Sequence, residues 1–443
     1  MSVFRYESFF TDAEQGLLTC RYSLDDREFT ERVTLAPSSR WDTPQAQAAA
    51  RLVYLLAGVS YYKTAAPPVI TIESSPISAL ERDFLQEFYR QGLGEYAFKN
   101  GLDLSGLEID APASDTTVPP EPAGNGGAAL RPLIPFGGGI DSIVTVEKIR
   151  ALAPDSALFV VSKPGARFEA IEKPAAVAGL PVVRAGREID PQLLRSAELG
   201  FRNGHVPVTG IISAIAILAA VLEDRDAVVM SNEWSASIPT LEYEGKPVNH
   251  QYSKSASFEA AFQTVLAASG GLPGYFSALR DRTELWVGEE FATLDKYHGT
   301  FRSCNRAFHI DPARRLDHWC GQCDKCCFID LILAPSMSAA ALRDVFDVVP
   351  EPLTQPGLKP KFDALLGSGT KPFECVGEVN ECRAAVLLAA RRPDRADSPL
   401  LQELAAEVAA RPDAPTGAEI EAMRHPVGEN FIPSAYAFGG ARA

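Results

Sequence analysis

The chain has 443 residues, and 46% of them are hydrophobic, which is enough for two or three buried cores rather than one. Its formal net charge of -15 argues against a protein that binds nucleic-acid backbones, because Lys and Arg supply the affinity of such binding. The N-terminus shows no basic segment followed by an apolar core, so we expect a cytoplasmic protein with no membrane partner. The sequence leaves its oligomeric state open.

The first part of the chain predicts a small α+β domain over residues 1–108. Its strands are expected at 17–22 and 69–72, and its helices at 46–62 and near 80–99. Residues 109–130 are rich in Pro and Gly and poor in large apolar side chains, which predicts a linker or a long loop.

Strands and helices alternate over residues 131–335, which predicts an α/β domain with a doubly wound parallel sheet. Strands are expected at 133–136, 157–161, 181–184 and 227–230, and helices from 141, at 167–178 and at 209–222. The apolar run 206–222 is of marginal length for a membrane span, and it contains Pro207 and ends at Glu223, so we expect a buried helix.

Residues 336–443 are expected to form a helical C-terminal region, with main segments at 339–346, 382–390 and 400–410. The tail beyond Pro426 carries no motif. We expect this region to cover the catalytic crevice or to contact a partner.

A glycine-rich turn, Gly137-Gly138-Gly139, lies between the strand at 133–136 and a helix that begins near Asp141. Glycines allow phosphate oxygens to approach the backbone, and the N–H groups at a helix N-terminus attract the anion. Ser142 adds a hydroxyl, and Asp141 is a candidate metal ligand. The alternative is a structural strand-to-helix turn that merely requires glycine.

The segment Phe-Gly-Gly-Gly-Ile-Asp-Ser at 136–142 resembles the S-G-G-x-D-S signature of the PP-loop ATP pyrophosphatases, which have a HUP-like α/β fold. Position 137 is Gly where that family usually has Ser, which removes one hydroxyl contact to pyrophosphate. The resemblance implies binding of ATP and Mg²⁺ by Gly137, Gly138, Gly139, Asp141 and Ser142. Ser162 and Lys163, at the end of the next strand, would then meet the adenosine.

Two polar segments follow the strand at 227–230, where a parallel sheet presents its ligand-binding loops. They carry hydroxyl, amide, indole and amine groups suited to a polyanionic, hydroxyl-rich substrate, although a solvated, self-capped loop is the alternative. The candidate substrate-binding residues are Asn232, Trp234, Ser235, Ser237, Asn249, Tyr252 and Ser253. Arg302, together with Ser253 and Lys254, is a further candidate for anionic groups.

Five of the eight cysteines lie between residues 304 and 327. Cys320, Cys323 and Cys326 form a C-x2-C-x2-C motif, and Cys304 upstream completes the four thiolates of a closed zinc site. The spacing also resembles the cysteine cluster of the 7-cyano-7-deazaguanine synthases, in which it holds structural zinc. Free buried thiols are the alternative, and Cys327 is left over from a four-ligand site.

Several segments together resemble the UDP-N-acetylmuramoyl-L-alanyl-L-glutamate epimerases, the MurL family of peptidoglycan precursor synthesis. They are residues 136–147, 231–237, 248–255, 320–330 and 371–377. The resemblance implies that ATP adenylates the α-carboxylate of the terminal L-Glu and releases pyrophosphate. The acyl-adenylate is then deprotonated at Cα and reprotonated on the other face, and hydrolysis yields D-Glu and AMP.

The residue that takes the α-proton is not fixed by any spacing. Asp141 and Ser142 belong to the phosphate loop, whereas Cys327, Cys375, His250, Lys254, Glu233 and His318 are candidates for acid–base roles. A core thiol is the alternative interpretation of Cys375. Another adenylating PP-loop enzyme, such as a deazaguanine synthase-like or amide-forming ligase, and a non-catalytic ATP-binding protein are the competing functions.

Overall fold

The structure is a computed structural model that describes residues 2–114, 129–243, 245–309 and 311–438. Most of the predicted linker, residues 115–128, lies outside this part of the chain. The strands are β1 (Phe4–Asp12), β2 (Leu17–Leu24), β3 (Arg27–Thr34), β4 (Val69–Ile72), β5 (Glu108–Asp110), β6 (Leu133–Pro135), β7 (Ala157–Ser162), β8 (Val182–Glu188), β9 (Ala227–Met230), β10 (Leu241–Tyr243), β11 (Lys246–Val248) and β12 (Gly274–Ser277).

The predicted helices are present, with two interruptions in the N-terminal part, and the described residues hold five further helices between residues 256 and 422. They are α1 (Pro44–Ala57), α2 (Val59–Tyr62), α3 (Ala79–Gly92), α4 (Gly94–Asn100), α5 (Ile140–Leu152), α6 (Glu169–Ala178), α7 (Val208–Leu222), α8 (Ala256–Ala268), α9 (Glu284–Ala292), α10 (Asp324–Leu333), α11 (Ala339–Phe346), α12 (Lys359–Leu365), α13 (Val379–Ala390), α14 (Pro399–Ala409) and α15 (Gly417–Ala422). The predicted helix 46–62 is divided at Gly58, where a Cβ atom would lie 2.4 Å from the Tyr6 hydroxyl.

One mostly parallel sheet of ten strands runs through the chain, in the order β12-β9-β6-β7-β8-β3-β2-β1-β4-β5. The α/β fold class is thereby confirmed. The strands β12, β9, β6, β7 and β8 pair in parallel, and the chain proceeds outward from β6 in both directions. Ligands of such sheets bind beyond the carboxyl ends of the strands, at the point where the strand order reverses.

Helices pack on both faces of the parallel part of the sheet. Successive residues of each strand therefore point into two different hydrophobic cores, one on each face. Leu133 and Phe159 face one core, which includes the apolar helix α7, whereas Ile134 and Leu158 face the other, which includes α5. Helix α7 is buried over most of its length, as the sequence predicts. Within the described residues, no helix is long and apolar enough to cross a membrane.

The N-terminal strands continue the same sheet. Strand β3 pairs antiparallel with β8, and a buried ion pair joins Glu31 on β3 to Arg187 on β8 at 2.8 Å. The residues of 1–108 also share a core with α7 and α8. Residues 1–108 and 131–335, predicted as two domains, are therefore continuous in both sheet and core.

The C-terminal region is helical, and α11 has the predicted bounds. Its tail packs against the ends of the parallel strands. Val427 donates to the carbonyl of Asp281 at 2.9 Å, and the Tyr436 hydroxyl donates to Asp226 at 2.6 Å.

Candidate active site

A cavity of about 430 Å³ opens at the carboxyl ends of β6, β7 and β9. It lies at β6, where the strand order reverses, which is the position at which an α/β sheet binds ligands. Its walls contain the glycine-rich loop on one side and a set of acids, cations and one thiol on the others. The predicted candidates that line it are Gly137, Gly139, Asp141, Ser142, Asn232, Glu233, Lys254, Arg302 and Cys375.

The glycine-rich loop connects β6 to α5. Gly138 has φ +77°, and a Cβ atom there would lie 2.3 Å from the Ala170 carbonyl oxygen, so both conformation and packing require glycine. At Gly137 a Cβ would meet open space within 4 Å, which leaves the backbone accessible from the cavity. Gly139 precedes α5 and has no side chain to cap it, while Ser142 donates to the Gly139 carbonyl at 3.0 Å. The loop therefore presents a helix N-terminus to the cavity, as an anion site requires.

A buried arginine holds two cavity walls together. Arg280 pairs with Glu259 at 2.8 Å and donates to the carbonyl oxygens of Glu233, at 3.0 Å, and Lys254, at 2.7 Å. The side chains of Glu233 and Lys254 thus project from backbone that is fixed by an ion pair with almost no solvent exposure.

Three carboxyl groups face one another near the glycine-rich loop. Burial, together with the nearby carboxylates of Glu284 and Asp141, raises the pKa of Glu233 well above its usual range. Burial, with smaller contributions from Asp141 and Glu381, raises the pKa of Glu284 to about 8 against the opposing effect of Lys325. This end of the cavity therefore favours a bound cation or protonated carboxyl groups.

Cations surround the one thiol of the cavity. Cys375 is half-buried in the loop between α12 and α13, and the Lys254 ammonium donates to its Sγ at 3.4 Å. Burial alone would raise the pKa of Cys375, but Lys254, His250 and Lys325 together lower it to about 6. In turn, burial opposes the charge of Lys254, yet Cys375 and Glu233 raise the pKa of that ammonium. A thiolate is thus stabilised at neutral pH.

His250 reaches Cys375 from a position just outside the cavity lining. Its Nδ1 atom is hydrogen-bonded to the buried carboxylate of Glu95 on α4, and the ring of His205 lies 4.2 Å from its own, centroid to centroid. Burial would lower the pKa of His250, but Cys375 and Glu95 raise it to about 9. Burial and the adjacent His250 lower the pKa of His205 to about 4.

The four cysteines predicted as metal ligands converge. The Sγ atoms of Cys304, Cys320, Cys323 and Cys326 all lie within 4.8 Å of one another. The distance is 3.4 Å between Cys323 and Cys326 and 3.7 Å between Cys320 and Cys326. A tetrahedral zinc site with bonds of ~2.3 Å has S–S edges of about 3.8 Å, so the four thiols fit zinc with little adjustment. Cys327 is buried nearby, and burial raises its pKa to about 12.

The remaining predicted residues lie away from the cavity lining. The Ser162 hydroxyl donates to Ala166, the Ser237 hydroxyl accepts from Ala256, and the Asn249 amide donates to Ala236, which are local backbone contacts. The cavity walls do not include Cys327, and His318 pairs with Asp317 at 2.7 Å. Lys163, Trp234, Ser235, Tyr252 and Ser253 likewise do not line the cavity.

Sequence reasoning did not single out Glu95, Glu284 and Lys325. Glu284 follows β12, a strand that was missed, and the rule that placed the other loops at the crevice would have included it. Lys325 lies inside the cysteine motif, which was interpreted only as a set of metal ligands. Glu95 is far away in sequence, and no local pattern connects it to His250.

The sheet and its crevice define the class of protein: an α/β protein with a candidate site beyond the carboxyl ends of β6 and β9. A sequence model of the MurL N-terminal domain matches residues 1–278, and one of the MurL C-terminal domain matches residues 300–419. The chain belongs to the MurL family.

Curated relatives cover nearly the whole chain. A protein of Xanthomonas oryzae pv. oryzae, named UDP-N-acetyl-alpha-D-muramoyl-L-alanyl-L-glutamate epimerase, is 37% identical over 98% of this chain and 96% of its own length. A protein of Salinispora tropica with the same name is 37% identical over 99% of this chain and 95% of its own. No solved structure matches the chain.

Proposed function

We propose that this protein epimerises the terminal L-Glu of UDP-N-acetylmuramoyl-L-alanyl-L-glutamate to D-Glu, in peptidoglycan precursor biosynthesis. The names of relatives that match almost the full length of the chain support this substrate. We further propose a PP-loop type of ATP site and an acyl-adenylate route that releases AMP and pyrophosphate. A reaction that consumes ATP and a UDP-linked precursor fits a cytoplasmic enzyme.

The observation that carries the ATP-dependent route is the composition of the cavity. One wall is a glycine-rich loop at a helix N-terminus, and another presents the Lys254–Cys375 pair. The first suits a polyphosphate, and the second suits proton transfer next to an anionic substrate. Both fall within one volume of about 430 Å³, so phosphate binding and proton transfer can act on one substrate group.

The chemistry requires activation because a carboxylate resists a second negative charge at its α-carbon. ATP supplies an adenylyl group: a carboxylate oxygen bonds to the α-phosphorus, and the bond to pyrophosphate breaks. The loop 137–139 and Ser142 would hold the phosphates. Lys254, whose ammonium is buried, would stabilise the enolate oxygen.

The carboxyl groups of Asp141, Glu233 and Glu284 are suited to Mg²⁺. Burial and their mutual repulsion raise the pKa of Glu233 and Glu284, and a divalent cation would relieve the repulsion. The four-thiol cluster is suited to a structural zinc ion that ties the segment after α9 to the start of α10.

The proposal is tested by incubating the protein with ATP, Mg²⁺ and UDP-N-acetylmuramoyl-L-alanyl-L-glutamate. We expect AMP, pyrophosphate and D-Glu to appear together, in a substrate-dependent manner. Asp141→Asn should abolish pyrophosphate release, whereas Asp155→Asn, an exposed surface change, should not. AMP formation without inversion would move the proposal to another adenylating enzyme, and D-Glu formation without ATP would refute the adenylate route.

A further inference from the structure

The strongest unassigned feature is a chain of contacts that starts at Cys375 and ends in the N-terminal part of the molecule. We propose that Cys375 exchanges the α-proton of the substrate on one face, with Lys254 and His250 holding its thiolate and Glu95 holding His250. This inference rests on the proposed function and deepens it by naming one of its proton-transfer groups.

The geometry around the sulfur supports the assignment. Cys375 lines the cavity, and Lys254 donates to its Sγ at 3.4 Å. The nearby His250 imidazole lowers the pKa of the same thiol, and the Lys325 ammonium donates to the carbonyl oxygen of Cys375, which fixes the loop. Cys375 is therefore held at the cavity wall by groups from two separate parts of the chain, the segment 250–254 and α10.

Glu95 is the last residue in the chain of contacts that runs from Cys375 through His250. It is 4% exposed, and its two oxygens contact His250 and Lys99. Burial would raise the pKa of Glu95, but His250 and Lys99 lower it, so the carboxylate is charged. A charged carboxylate fixes the orientation of the histidine and stabilises its imidazolium form. Glu95 is thus a positioning residue, because it acts through His250.

After adenylation, the Cys375 thiolate takes the α-proton: the Cα–H bond breaks, the S–H bond forms, and the electron pair moves onto the acyl oxygen as an enolate. A proton reaches Cα on the opposite face from a second cavity group or water, and Cys375 loses its proton to water. In the reverse direction, from D-Glu to L-Glu, the second group removes the α-proton and the Cys375 thiol donates a proton to Cα.

The groups that face Cys375 predict the acidic limb of the pH profile. They are Lys254, His250 and Lys325, and they lower its pKa to about 6 against the effect of burial. Below that pH the sulfur is protonated and cannot accept the α-proton, so activity falls as the pH decreases through about 6.

The groups that face His250 predict the alkaline limb. They are Glu95, Cys375 and the ring of His205, and the first two raise its pKa to about 9 against the effect of burial. Above that pH the imidazole is neutral and no longer holds the thiolate, so activity falls again as the pH increases through about 9.

The first test uses Cys375→Ala and Cys375→Ser, with Cys20→Ala as the matched change of a buried thiol in the N-terminal core. Pyrophosphate release, D-Glu formation and uptake of solvent deuterium at Cα are followed in D₂O. Both Cys375 variants should lose on the order of 100-fold or more in epimerisation and keep substrate-dependent pyrophosphate release, since general acid–base groups contribute this much. Cys20→Ala should retain both activities.

Each result separates this inference from the proposed function. If the unaltered enzyme releases no pyrophosphate and forms no D-Glu, the proposed function fails. If it does both and Cys375→Ala epimerises at the same rate, the assignment of Cys375 fails. Loss of pyrophosphate release together with epimerisation, in a variant with an unchanged circular dichroism spectrum, also overturns the assignment, because Cys375 would then act in adenylation or binding.

The second test addresses Glu95 through the pH profile. Glu95→Gln removes the charge that raises the pKa of His250, so the alkaline limb should move to lower pH while KM stays near its original value. Glu95→Asp should restore part of the shift. A Glu95→Gln profile that keeps its limb near pH 9, with only a uniform loss of kcat, would show a merely structural role and refute the positioning role.

Discussion

Two thiol sites in this molecule differ in almost every respect except the side chain. At one, Cys375 stands alone among cations and faces a cavity. At the other, Cys304, Cys320, Cys323 and Cys326 meet within 4.8 Å, and three of them are buried. Positive side chains stabilise a single thiolate for chemistry, whereas four adjacent thiolates require a metal ion to neutralise them. The neighbours of a cysteine therefore decide whether it serves reactivity or stability.

The largest expected effect comes from breaking the four-thiol site. Cys320→Ser should release bound zinc and lower Tm by on the order of 10 °C, because metal binding contributes directly to folding free energy. Zinc content and thermal unfolding are the measurements. Cys327→Ala, which alters an adjacent buried thiol, should keep one zinc ion per chain. The prediction fails if the purified protein contains no zinc and Cys320→Ser has the Tm of the unaltered protein. The four-thiol site would then not be a metal site.

The next effect is the reactivity of the single thiol. Cys375 should react with iodoacetamide with an apparent pKa of about 6, below the value of ~8.5 for a free cysteine. Peptide mapping after alkylation over a range of pH measures it, and the zinc-loaded cluster should stay unmodified. ATP with substrate should slow the reaction, since Cys375 lines the proposed site. Modification that begins only above pH 8 would show that the pKa of Cys375 is that of an ordinary thiol.

A smaller change should follow from removing one of the cations. Lys254→Met is expected to raise the apparent pKa of Cys375 by about one unit, because an adjacent unlike charge shifts a pKa by this order. The pH dependence of alkylation gives the value directly. Lys296→Met, which changes a half-exposed ammonium at another site, should leave it unaltered. If the pKa of Cys375 is unchanged in Lys254→Met, then His250 and Lys325 alone are enough to lower it.

The smallest effect should be on stability at the single thiol. Cys375→Ala should lower the free energy of unfolding by on the order of 1 kcal/mol, since it leaves no large void but removes a partner of the Lys254 ammonium. Denaturant titration of both proteins measures the difference. A loss as large as that of Cys320→Ser would assign a structural role to both sites.

Local patterns in the sequence predicted the parts of the site that local chain geometry determines. The glycine-rich turn 137–139 and the motif of Cys320, Cys323 and Cys326 each lie within a few residues, so spacing alone places them. Parallel strands meet at one edge, which brought Asn232 and Glu233 to the same cavity as the turn.

Long-range pairing accounts for what the sequence did not reveal. The pairing of β3 with β8 joins residues more than a hundred positions apart, and no periodicity records it. Likewise, Glu95 meets His250 only because α4 packs beside β11 and the polar segment that follows it. The short strand β12 was missed, and with it Glu284, since the strand begins at Gly274, directly after Pro273, and this Gly- and Pro-rich context is typical of a turn.

The seam between β3 and β8 has a practical meaning for attempts to divide the molecule. A shortened chain that begins after residue 130 would leave β8 with a row of unpaired backbone N–H and C=O groups. The guanidinium of Arg187 would also lose its buried partner, the carboxylate of Glu31. Such an open strand is a template for self-association. The N-terminal strands therefore cover this edge of the sheet and prevent it from pairing with a second molecule.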